Sequence, residues 1–105
     1  MSPMESASPA LPAHPGEVLK SDYLERLGMS ADDLAKEIGM PPGRMTEIII
    51  GRRAISADTA MRLAARLGTT PELWVALQAK YDIALVTQTW RKRPPTQPKL
   101  PRRRR

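Results

Sequence analysis

The residues best equipped for chemistry sit in one short stretch, PPGRMTEIIIGRR at positions 41–53. Wound at 3.6 residues per turn, it places Met45, Ile48 and Ile49 on one side. Gly43, Glu47 and Ile50 then face the other way, with Arg44 and Thr46 on the flanks and Pro42 opening the same turn. These side-chain types suit the edges of base pairs. An arginine fork pairs with guanine, a carboxylate accepts from the cytosine amine, a hydroxyl reaches a base or phosphate, and an aliphatic side chain meets the thymine methyl. Pro42, Gly43, Arg44, Thr46, Glu47 and Ile50 are therefore the base-contact candidates. Arg52 and Arg53, just past the helix, suit backbone phosphates, as does Ser30 one helix earlier. Two plainer readings stand beside these. Glu47 can pair with Arg44 on the exposed surface, for a few tenths of a kcal/mol, and Arg52 and Arg53 can be solvated loop charges.

Other chemistries find little to work with. Cysteine is absent, which excludes thiolate chemistry, and with His14 the single histidine the usual catalytic and metal-binding constellations are hard to assemble. No catalytic residue, metal ligand or cofactor site can be assigned, and an enzyme is not expected. Asp32-Asp33 reads as a partner for a helix dipole. His14, just before Pro15, reads as a residue at a helix start.

Four glycines, Gly28, Gly39, Gly51 and Gly68, punctuate the region that must position the 41–53 stretch. Each closes a segment with apolar residues at helical spacing. The first runs from about Gly16 to Leu27, with Leu19, Tyr23, Leu24 and Leu27 on one face. Ser30 caps the second, with Asp33 at the reciprocal position of a capping box and Met29 placed to staple onto Leu34. Prolines 41 and 42 open the third, Ser56 caps the fourth, and Thr70 followed by Pro71 opens the fifth. No segment alternates as a strand does. Five helices follow, and the second and third, joined by a short glycine turn, have the spacing of a helix-turn-helix. In that motif the first helix lies across the duplex backbone and the second enters the major groove. An ordinary helical hairpin is the competing reading.

The last segment carries Trp74, Leu77 and Tyr81 for the core, with further apolar residues including Ile83 and Leu85. A helix-turn-helix reader usually spans two half-sites. Trp74, Leu77, Tyr81, Ile83 and Leu85 are accordingly the candidates for a two-fold interface.

The ends differ from the middle. Residues 1–14 are rich in Ser, Pro and Ala and read as a flexible arm, 15–86 as the domain, and 87–105 as a disordered Pro/Arg-rich basic tail. The formal charge of +6 is concentrated in that tail, since residues 1–86 hold nine basic and eleven acidic side chains. A tail of this kind can track phosphates, contact RNA or stay solvated. No apolar run is long enough to span a bilayer, and the first residues lack the pattern of a secretory signal. No membrane partner and a cytoplasmic location are the expectation.

The stretch from His14 to Ile83 resembles the HigA-type antitoxin family within the Cro/C1 (XRE-like) helix-turn-helix class. The opening HPGE, the turn and helix IGMPPGRMTEI, the link GRRAIS and the ending TTPELWVALQAKYDI carry the resemblance. It implies an all-α, five-helix, lambda-repressor-like domain that binds a palindromic double-stranded operator in its own promoter as a homodimer. It also implies neutralisation of a cognate HigB-type toxin, an mRNA-cleaving ribonuclease. Gly43 and Ile50 stand where family members commonly carry polar residues, often asparagine, so the operator sequence does not carry over. A stand-alone repressor without a toxin, and a protein- or RNA-interaction module led by the basic tail, are the alternatives.

Overall fold

The computed structural model describes residues 11–94, and these form five helices with no strand. The arm before residue 11 and the Pro/Arg-rich segment 95–105 lie outside the described residues. Helix α1 is one continuous helical stretch in three windings: Pro15–Val18 as α-helix, Leu19–Leu24 as π-helix and Glu25–Leu27 as α-helix again. Helix α2 is Ala31–Ile38, α3 Pro42–Ile49, α4 Ala57–Leu67 and α5 Pro71–Lys92.

The predicted caps form. The Ser30 side chain accepts from the Asp33 amide at 3.0 Å, and the Asp33 carboxylate accepts from the Ser30 amide at 3.3 Å, completing the capping box of α2. Ser56 and Thr70 accept from the amides of Thr59 and Leu73. Gly39, at φ 73° and ψ 38°, turns the chain sharply between α2 and α3 in a conformation that a side chain would oppose. Leu34, Ala35, Met45, Ile48, Leu63 and Trp74 are all buried in one core. The small Ala35, on α2, is fully buried in that core.

Four expectations need correction. The first helix begins at Pro15, close to the expected start, but its middle is wound wider than an α-helix, with the Glu25 amide reaching back to the Lys20 carbonyl. The wider turn lets Leu19 and Leu24, five residues apart, both enter the core. Leu27 does not join them: it is 52% exposed, and Met29, beyond the glycine turn, packs on the core instead. His14 belongs to the domain and not to a flexible arm, because it is buried and caps α1. At the other end α5 continues through Lys92, so residues 87–92 are helical rather than part of a disordered tail. Among the described residues no helix is long and apolar enough to cross a membrane.

Candidate nucleic-acid interface

Helix α3 buries Met45 and Ile48, half-buries Ile49, and leaves Pro42, Gly43, Arg44, Thr46 and Glu47 exposed. Ile50, at its C-terminal end, is 58% exposed. Pro41 and Pro42 have no amide hydrogen, and the Arg44 and Met45 amides both bond the Pro41 carbonyl. The Gly43 amide is thus the open donor of the first turn. Gly43 is not demanded by the fold: its φ is not positive and a Cβ added there meets nothing within 4 Å.

The charged groups behave differently from one another. The Arg44 and Arg52 side chains are exposed and make no hydrogen bond or ion pair with any described residue. Arg53 donates from Nε to Oε1 of Glu47 at 2.8 Å, both side chains being about half exposed. The partner of Glu47 is therefore Arg53, across the turn, and not Arg44 one turn earlier. Thr46 donates its hydroxyl to the Pro42 carbonyl at 3.1 Å, leaving the oxygen's lone pairs for an outside donor. Ser30 stands at the exposed start of α2 with its oxygen accepting from Asp33, which leaves its hydroxyl proton to donate.

A buttress holds α3 from behind. The His14 Nδ1 accepts from the Gly16 amide at 2.9 Å, its ring meets Tyr81 edge-on at 4.9 Å, and Gly51 lies beside it. A Cβ on Gly16 would fall 1.7 Å from the Ile48 carbonyl oxygen, so the start of α1 lies directly against the end of α3. Burial holds the His14 imidazole below its ordinary value near 6.5, opposed by the negative charges of Asp82 and Glu17. The Nδ1 acceptor role likewise requires a neutral ring.

The helix-turn-helix family model matches residues 21–74, half of the chain. A HigA-family addiction module antidote protein from Coxiella burnetii has 46% sequence identity and superposes with a TM-score of 0.74, over 79% of this chain and 90% of that one. The chain belongs to the HigA antitoxin family.

Other proteins are similar over much of the chain. The Pseudomonas aeruginosa antitoxin HigA, solved with the higBA promoter, has a TM-score of 0.76 and 31% identity over 85% of this chain and 99% of its own. Virulence-associated protein I of Dichelobacter nodosus is 42% identical over 75 residues, which is 71% of this chain and 69% of that protein. The HPGE opening of this HigA-family chain now has a physical role: His14 caps, Pro15 starts α1, and Gly16 admits the Ile48 carbonyl.

Sequence reasoning missed several positioning residues. Arg62 on α4 donates to the Ile38 carbonyl at 2.8 Å and pairs with Asp58 at 2.9 Å, clamping the end of α2. Arg66 pairs with Glu37 and also touches the Met29 sulfur. Gln78 on α5 accepts from the Ile55 amide at 2.8 Å and donates to Asp82, pinning the loop that carries Arg52 and Arg53. Apart from Arg62–Asp58 and Gln78–Asp82, which are four residues apart, these contacts join residues 23 to 37 apart in sequence and leave no local periodic signal. Trp74 leaves the interface candidates, since it is fully buried and its Nε1 donates to Thr69 at 2.7 Å. Leu77 and Tyr81 are partly buried on the same inward side, whereas Ile83 and Leu85 are exposed.

Proposed function

We propose that this protein is an operator-binding antitoxin: a homodimer that reads a palindromic site in its own promoter and neutralises a HigB-type toxin. The observation that carries the DNA half is the outward side of α3, where an exposed, unpaired Arg44 stands beside the open Gly43 amide. Arg44 reads guanine, while Thr46, Glu47 and Ile50 lie along the same groove. Pro42 and Gly43 keep the first turn slim where it meets the duplex. Arg52 and Arg53 hold phosphates beyond the far end of the helix, and Ser30 holds one from the start of α2. The positive end of the α3 dipole points the same way. The toxin half rests on kinship with the HigA family.

The test is nuclease footprinting on DNA upstream of the protein's own gene, paired with titration of Arg44→Ala. The expected pattern is a symmetric pair of protected half-sites. The variant should lose about 1–3 kcal/mol of affinity with relaxed preference at one base position. Equal weakening on every sequence would assign Arg44 to phosphate alone. For the toxin half, a small basic protein encoded beside this one should co-purify with it and lose its mRNA cleavage in the complex. Unimpeded cleavage would remove the antitoxin role and leave a repressor.

A further inference from the structure

Glu47 is a carboxylate in a place that resists one. It lies in the last turn of α3, where the helix dipole disfavours negative charge, and on the outward side that the operator reading sets against phosphates. The chain nevertheless wraps around it. The Arg52 amide bonds the Glu47 carbonyl at 2.8 Å, Gly51 reverses the chain at φ 80°, and the return brings Arg53 to the Glu47 carboxylate. There the Arg53 Nε donates to Oε1 at 2.8 Å. With the two side chains 47% and 48% exposed, the pair adds little to stability, and its consequence is geometric.

An arginine carries five N–H groups in one plane, of which Glu47 takes the Nε–H; the four on the terminal amino groups have no partner among the described residues. The Arg52 side chain, one residue earlier, is engaged by nothing. Two adjacent arginines are thus prepared differently. Arg52 keeps its rotamers until something binds, whereas the Arg53 fork is already held by one edge with its far end open. We propose that Glu47 is a positioning residue: it presets the Arg53 guanidinium for one operator phosphate and reads no base itself. This rests on the operator reading above and takes Glu47 out of the base-contact set. The place of Glu47 in the helix agrees. Base edges are read from the N-terminal half of a recognition helix, and Glu47 is the sixth of the eight residues of α3. Its carboxylate is drawn further back, along the turn, by the bond to Arg53.

The test uses the full chain and two duplexes, the site protected upstream of its own gene and an unrelated duplex of equal length. Glu47→Ala removes an acid, so charge alone predicts tighter binding to both. The proposal predicts the opposite on the operator, about threefold to tenfold weaker binding, because Arg53 must then be ordered as it binds. The unrelated duplex should be bound as well as before or better. The deciding measurement is made in an Arg53→Ala background, where adding Glu47→Ala should weaken operator binding no further. Base-pair substitutions across the operator should keep the same order of penalties in Glu47→Ala as in the unaltered chain. Both side chains lie at the surface, so circular dichroism should show every variant folded. A full loss from Glu47→Ala in the Arg53→Ala background, with the penalty at one base pair abolished, would make Glu47 a base reader and overturn the proposal. Operator affinity unchanged or raised by Glu47→Ala alone would overturn it too, leaving the pair a surface contact. In both cases the operator reading stands. An unaltered chain that protects no site would remove that reading, and the proposal with it.

Discussion

Helices α2 and α3 are each eight residues long and meet across one glycine turn, yet their ends are finished in opposite ways. Helix α2 has a reciprocal capping box at its start, a glycine cap at its end, and an arginine from α4 on its last carbonyls. Helix α3 has no side-chain cap, two prolines and a glycine in its opening residues, and an isoleucine at its close. The difference separates a strut from a probe. The exposed start of α3 forgoes local stabilisation and keeps its backbone uncovered, while rigidity is supplied from behind by the start of α1.

The largest test of that contrast is Gly16→Ala. Its methyl group would overlap the Ile48 carbonyl, so the start of α1 must move off α3. We expect about 3 kcal/mol of lost stability in urea unfolding, and unchanged stability would mean that the buttress does not bear on α3. Ser30→Ala comes next, removing the cap of the strut at a cost of about 1 kcal/mol; a loss confined to operator affinity would instead make Ser30 a pure phosphate contact. Gly43→Ala should separate the two roles most cleanly. The fold gains up to about 1 kcal/mol because alanine suits a helix better, while operator affinity falls because the backbone is covered. A variant that melts higher and binds equally well would end the account of α3 as a stripped probe.

The smallest effect concerns His14. Its folded value is held below 6.5, so the neutral ring is the form the fold prefers. Above 6.5 the contribution is complete. As the pH falls through 6.5 the unfolded chain binds the proton first, and stability declines until the folded ring protonates too. His14→Asn keeps a capping acceptor and removes this titration, so its melting temperature should vary less between about pH 5 and 8. Parallel profiles for the two proteins would show that the acid-side loss comes from elsewhere.

The features legible in the sequence were those written locally. Ser30, Ser56 and Thr70 precede helical periods and do cap them, and the four glycines all adopt positive φ. The split of α3 into Met45 and Ile48 inside, Arg44 and Glu47 outside, follows from period alone. The pairing of Glu47 was not legible, because a carboxylate with one arginine three residues before and another six residues after can choose either, and the turn geometry decides. The length of α5 was obscured by Thr87 and Thr89, which are poor helix formers; both hydroxyls bond carbonyls four residues back, of Ile83 and Leu85, and the helix continues. Trp74 fits a core or an interface equally well by type, and only the packing around Thr69 assigns it to the core.

The Gln78 amide adds a polar tie between two regions that already share one core. One hydrogen bond, donated by the Ile55 amide, fastens the loop that follows Arg52 and Arg53 to α5. On the proposed reading, in which Arg52 and Arg53 hold phosphates, a partner that shifts α5 and a duplex that seats the arginines would pull on that same hydrogen bond, and any coupling between them would be reciprocal.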